Sequence, residues 1–429
     1  MSSDNKQRFV ALQYRDYRLI WIGQLLSTIG TQMQNVAVSW HVFELLQDQT
    51  VTLQMFGREF TLGADALGLG GLGLARVIPI VIFALFGGLL ADAWDRRRIM
   101  IVSAVVSAVL AIWLGIATMS GTDSMLMIYF ITSAIAAASA FDNPSRQSIV
   151  PNLVARKHLA NAVSLNTLTW QIASIMGPGL AGFLISRLNV GVVYMINGVS
   201  FGAVILSLLL MQFRGQILVE SKGLGVSALL DGVRFCLKER LIWSTMMLDF
   251  FATLFSGART MLPIISTDLL GLDVTGYGIL ATAQPLGAVV AGVVMSWRSQ
   301  IHRQGLTLLG GVLVYGVATI LLGTSTVAVL SFVFLALVGA GDTVSTVIRG
   351  TLRQLVTPDE LRGRMVSVNM VFFMGGPQLG ELEAGLVAAA FGVPMALITG
   401  GIGTVLVTLF IAWRYPRLRN YTGEMLPAD

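Results

Sequence analysis

Twelve apolar segments, at roughly 17–46, 67–91, 99–120, 125–148, 160–186, 192–212, 241–267, 276–297, 305–323, 328–350, 364–390 and 394–413, fix what this chain can become. Each approaches or exceeds the ~20 residues that an α-helix needs to cross hydrocarbon. Only a helix or a closed barrel satisfies its own backbone polar groups there. Charged residues make up 12% of the chain, about half the share of a soluble domain, and they collect between the segments. The pattern predicts an all-α membrane protein with twelve transmembrane helices. Short turns such as Gly121-Thr122-Asp123 and Gly392-Val393-Pro394 join neighbouring segments.

The least apolar internal stretch, Arg214–Arg240, divides the segments six and six. It predicts an N-terminal six-helix half over 1–212, a cytoplasmic linker over 213–240 and a C-terminal half over 241–429. The latter part of the linker, SALLDGVRFCLKER, reads as an amphipathic helix on the inner membrane surface. Of the 28 Lys and Arg, 22 fall on the side of the termini and linker; Arg58 and Arg187 fall on the other, and Arg76, Arg146, Arg259 and Arg349 lie within spans. That bias places both termini in the cytoplasm. The run from Leu19 to Phe43 carries no charge and exceeds a signal-peptide core, so no cleavable signal is expected. The outer segment 47–65 is longer than a tight turn and is an insertion of unknown role.

An internal repeat relates the halves. Arg146 and Arg349 are 203 residues apart, as are Val163-Ser164-Leu165-Asn166 and Val366-Ser367-Val368-Asn369. Gly177-Pro178 of span five is echoed by Gly376-Pro377 of span eleven. The repeat supports two related halves.

Several function classes are excluded. A P-loop needs Gly-Lys, and none of Lys6, Lys157, Lys222 or Lys238 follows a glycine, so transport here is not driven by a nucleotide domain of this chain. A single cysteine, Cys236, allows no internal disulfide, and His41, His158 and His302 have no metal-ligand spacing. No metal, cofactor or enzymatic activity is expected. The net charge of +5 reflects topology and does not point to nucleic acid.

The loop Gly88–Arg98, GLLADAWDRRR, carries Gly88, Asp92, Arg96 and Arg97 in the pattern G-x-L-A-D-x-x-x-R-R-R. It resembles the signature loop of the major facilitator superfamily between its second and third helices. Ala93 replaces its usual basic residue and Asp95 its usual glycine. Small residues at 173, 177 and 181 let another helix approach span five closely. Gly177, Pro178, Ala181 and Gly182 also resemble the superfamily's antiporter motif, associated with exporters. Three further stretches are YRDYRLIWIGQLLSTIGTQMQNVAVSW (14–40), FDNPSRQSIVPNLV (141–154) with LANAVSLN (159–166), and LDFFATLFSGARTMLP (248–263). With the loop, they look like the drug:proton antiporter branch that includes macrolide efflux proteins and the enterobactin exporter.

Charges within spans are costly and tend to face a cavity or a partner. Asp249 and Asp342 lie at about one depth, roughly 12 Å from the inner surface. The resemblance implies that helices 1, 4, 7 and 10 line the cavity, so both are proton-coupling candidates, with Glu381 and Glu383 next; a packing carboxylate is the alternative. Arg349 lies on the face of Asp342 and is its expected partner. Asp142 and Arg146 are spaced i, i+4 around Asn143-Pro144. The resemblance implies that Arg96 pairs with Asp142 and that Asp92 caps helix eleven, forming an inner gate. In the outer third, Arg76, Arg259 and Glu381 share one layer, about 24–27 Å up by helical rise. A gate made by Arg76 with Glu381 is one reading; separate snorkelling of each charge is the other. Gln24, Thr28, Gln32 and Asn35 recur at helical spacing, to contact substrate or to bond neighbouring helices.

The expected function is export of a small amphiphilic molecule (drug, siderophore or metabolite) in exchange for protons, by a monomer in the lipid bilayer. A lysophospholipid or other lipid transporter of the same fold stays open. So does a non-transporting receptor or assembly factor, although intramembrane charges in both halves argue against it.

Overall fold

The computed structural model describes residues 9–55, 58–93, 95–213, 226–255, 257–297 and 301–423, and within these leaves the side chains of 84–93 and scattered others undescribed. The chain is helical almost throughout. In order it forms α1 (Arg15–Leu46), β1 (Thr50–Met55), β2 (Arg58–Gly63), α2 (Ala64–Ala93), α3 (Arg96–Ser120), α4 (Met125–Leu153), α5 (Leu159–Arg187) and α6 (Val190–Leu210). There follow α7 (Val226–Lys238), α8 (Arg240–Leu254), α9 (Leu262–Ile264), α10 (Val274–Trp297), α11 (Gln304–Thr324), α12 (Ala328–Val356), α13 (Asp359–Phe391), α14 (Val393–Arg414) and α15 (Pro416–Arg419). Among the described helices, nine are long and apolar enough to cross a membrane. The more polar α1 and α13 run for 32 and 33 residues. With the interrupted pair α8–α9, the architecture is consistent with twelve spans.

Two departures from the apolar pattern have local causes. The segment 241–267 reads as one span, but the helix stops at Leu254, makes a 3-10 turn at Gly257–Arg259 and restarts at Leu262. Pro263 has no N–H for the carbonyl of Arg259, and its ring crowds that carbonyl, so a continuous helix is barred. The insertion at 47–65 is an antiparallel hairpin, pairing Val51 with Leu62 and Leu53 with Phe60. Its base is closed by the Ala64 amide donating to the Gln49 carbonyl at 3.0 Å.

The chain clusters into two compact units, 1–38 with 78–220 and 39–77 with 221–429. The division cuts α2 beside its internal Pro79. In the first unit α3 packs on α6 and α4; in the second α11 packs on α14 and α12, the same order of spans. The stretch at 14–18 bolts α1 into its unit. Tyr14 hydroxyl bonds His158 Nδ1, Asp16 accepts from the Gln212 and Phe213 amides, and buried Tyr17 donates to the Ala162 carbonyl at 2.8 Å. In the second unit α7, the expected amphipathic helix, lies on α13, burying Cys236 with Ile242, Met246, Met365 and Val368. Burial pushes the Cys236 thiol above the ordinary cysteine range, partly offset by Arg353.

Candidate functional site

Charges of the second unit gather at two levels along its helices. Nearer α7, Asp249 of α8 is 4% exposed and pairs with Arg349 of α12 at 2.8 Å. Its other oxygen stands 3.9 Å from Arg353, one turn on. Arg353, which the sequence places past the end of its span, is buried; it donates to Thr245 at 3.0 Å and to Asn369. Asp342 lies 3.9 Å from Arg349, with its side chain 45% exposed. The expected Arg349–Asp342 pair is thus the looser of two, because Asp249 reaches the guanidinium from the facing helix. Asp342, Ser345 and Arg349 line a small pocket with Ala252, Thr253, Val312 and Tyr315. Among the described residues, the buried Ser345 hydroxyl has no hydrogen-bond partner. The cavity therefore offers polar atoms for water beside an accessible carboxylate.

At the opposite level, toward the hairpin, α13 is the spine. Gly73 of α2 packs on the Gln378 carbonyl and would set a Cβ 2.9 Å from the Glu381 Cβ. Gly70 is as close to Gly385, where an added Cβ would meet its Cα at 2.9 Å. One turn beyond Gly73, Arg76 reaches Glu381 at 3.4 Å, both side chains under 20% exposed. On another face of α13, Gly257 packs against the Gly380 carbonyl, fixing the broken segment that carries Arg259. Arg259 is exposed and within electrostatic reach of Glu381, Arg76 and Tyr277. Tyr277 stacks on Trp40 at 5.6 Å between centroids. Glu383 is half-buried, and among the described residues nothing pairs with it.

In the first unit, Asp142 pairs with Arg146 at 3.0 Å, one turn along α4. Arg146 also donates to Asn143 and, at 3.4 Å, to Gln24 of α1. Arg349 repeats this set: it donates to Thr346, three residues before it as Asn143 precedes Arg146, and it holds a residue of α8 as Arg146 holds one of α1. The expected Arg96–Asp142 pair does not form. Arg146 takes the carboxylate, and Arg96 donates to the Ser148 carbonyl at 3.4 Å, further along α4. Arg97 donates to the Leu209 carbonyl at 3.2 Å, and Asp95 caps α3 through the Arg97 amide at 2.9 Å. The side chains of Gly88 and Asp92 lie outside the described residues.

The stripe of span five is packing against α1. A Cβ on Gly177 would lie 2.5 Å from the Gln32 Cβ, and Pro178, Ala181 and Gly182 are buried. Gln32 is 2% exposed and donates to Ser174 at 3.4 Å, while Asn35 donates back to it. Gln32 thus joins helices. Thr28 is half-buried and Asn35 exposed.

The sequence profile described as "Transmembrane secretion effector", of the major facilitator type, matches residues 7–426. The chain belongs to this family. Relatives of this secretion effector include the staphyloferrin A transporter of Staphylococcus aureus, 24% identical over 80% of this chain and 87% of that one. Another is the enterobactin exporter EntS of Salmonella typhimurium, 23% identical over 94% of this chain and 93% of its own. Among solved structures, a bacterial homolog of the human lysosomal transporter Spinster, inward-facing and unoccupied, superposes with a TM-score of 0.70. It is 15% identical and covers 97% of this chain and 99% of that one. The nucleoside transporter NupG gives 0.70 at 11% identity, over 93% and 99%. These structures share the fold. The chain is accordingly a multi-pass membrane transporter and not an enzyme. The buried role of Arg353 escaped the sequence reading, though its i, i+4 spacing from Arg349 was a usable signal.

Proposed function

We propose that this transporter exports a small amphiphilic molecule of siderophore type from the cytoplasm across the inner membrane, driven by proton antiport. The cluster Asp249–Arg349–Asp342 carries the reading. Asp249 has an oxygen directed at each of two arginines, so protonating it breaks two buried ion pairs. Asp342 is accessible, holds Arg349 loosely and borders a small pocket. It is assigned as proton carrier. Arg349, shared by both acids, transmits the change to α8 through Asp249. Export is supported by the family description and by relatives that include an enterobactin exporter and a staphyloferrin A transporter.

In this proposal the halves 1–212 and 241–429, joined by the linker 213–240, alternate access to the two sides. Both termini are cytoplasmic. Arg76–Glu381 holds the outer side shut and separates in the other state, where Asp92, Arg96 and Asp142 hold the inner side. Gln24, Thr28 and Asn35 are left to face substrate. The test is expression in bacteria lacking their own siderophore exporter, with enterobactin measured in the medium under iron limitation. Restored secretion is expected for the wild type and its loss for Asp342→Asn. Failure of the wild type to secrete enterobactin or staphyloferrin A would remove the siderophore assignment.

A further inference from the structure

The hairpin-side layer holds two guanidiniums, Arg76 and Arg259, and one paired carboxylate, Glu381. Glu381 is engaged by Arg76 at 3.4 Å, and among the described residues no hydrogen bond or ion pair reaches Arg259. Arg259 is accessible at this depth, where the natural partner of a guanidinium is an anion. Arg259 is also well held. Gly257 packs against Gly380 and Ala384 two residues before it, and Pro263 keeps the segment out of the helix. Non-helical backbone at membrane depth is tolerated where it is buried in protein or lines a cavity, and in transporters such breaks form substrate sites. The stacked pair Trp40–Tyr277 is adjacent, with Tyr277 in electrostatic reach of both arginines.

We propose that Arg259, flanked by Arg76, is a subsite for the carboxylate group of an amphiphilic substrate. The guanidinium fork matches a carboxylate in bidentate geometry, and half-buried Trp40, backed by the buried Tyr277 ring, supplies an aromatic surface for the apolar remainder. A carboxylate bound there competes with Glu381 for Arg76, so occupancy loosens the contact between α2 and α13. Substrate binding and release of that contact are then one event. This inference rests on the transport reading and adds a substrate class to it.

The test is equilibrium dialysis of the purified full chain in detergent, without any gradient. The probes are 1-naphthoate and 1-naphthamide, which share size and ring but differ in charge. Wild type should prefer naphthoate about tenfold, the worth of one charge-assisted contact. Arg259→Gln should abolish the preference while still binding naphthamide, which shows that the fold is kept. Arg259→Lys, which keeps the charge without the fork, should retain a reduced preference and covers the case in which the glutamine variant does not fold. An undiminished preference in Arg259→Gln, or none in wild type, overturns the subsite. A failed proton-coupling experiment leaves this result untouched, and the reverse holds, so the two readings fail separately.

Discussion

Arg349 stands between two aspartates at unequal distances, 2.8 Å from buried Asp249 and 3.9 Å from accessible Asp342. The inequality separates a buried carboxylate held between two helices from a more exposed one that touches the same guanidinium loosely. Removing one member of a buried pair strands the other's charge, at about 3–5 kcal/mol. Asp249→Asn strands two guanidiniums and should lower the thermal unfolding midpoint in detergent by several degrees. Asp342→Asn should leave the midpoint near wild type. Equal losses in both variants would place both acids in the packing.

The contact between Arg76 and Glu381 gives a charge-swap prediction. Arg76→Glu should impair transport, and adding Glu381→Arg should restore part of it. Pairing Arg76→Glu with Glu383→Arg should not, because Glu383 is not the carboxylate that Arg76 meets. Recovery through Glu383 alone would show that the wrong glutamate closes the layer.

A third prediction concerns the approach of α2 to α13. Gly73→Leu forces the side chain into the Gln378 carbonyl and Glu381. Transport should fall at least tenfold, because the backbone atoms it meets cannot yield as a flexible side chain would. Gly202, where an added Cβ meets nothing within 4 Å, is the matched control; Gly202→Ala should transport like wild type.

Most of the helices were legible in the sequence because hydropathy reports burial in lipid or protein, which each segment carries by itself. The pairing of charges was legible only where helical rise alone set the level, as for Arg76 and Glu381. It failed where the neighbour was decided by rotation and local competition. Arg96 lost Asp142 to Arg146, one turn away on the same helix, and Arg349 found Asp249 across a helix boundary. The break at Gly257–Arg259 was written in Gly257 and Pro263, but an apolar average passes over it. Arg353 was assigned to a loop because a charge at a span's end reads as a boundary unless its acidic partner is known.

Outside the spans, Asp268 sits near Asp65 and Asp48 on the hairpin side. Burial, then these two acids, push its carboxyl above the ordinary range. A raised acid costs nothing below the ordinary carboxylate pKa. The cost grows as pH rises from that value to the raised one and then stays constant. Asp268→Asn should therefore raise the unfolding midpoint at pH 8 and leave it unchanged at about pH 3. A variant with wild-type pH dependence would show that Asp268 is fully solvated.

Proton coupling through Asp342 is tested most directly by enterobactin uptake into everted membrane vesicles, with a pH gradient imposed at zero membrane potential. Wild type should accumulate enterobactin only with the gradient. Asp342→Asn should lose that accumulation while still exchanging enterobactin across the membrane at equilibrium. Gradient-driven accumulation by Asp342→Asn at the wild-type rate would contradict the assignment of Asp342 as the proton carrier.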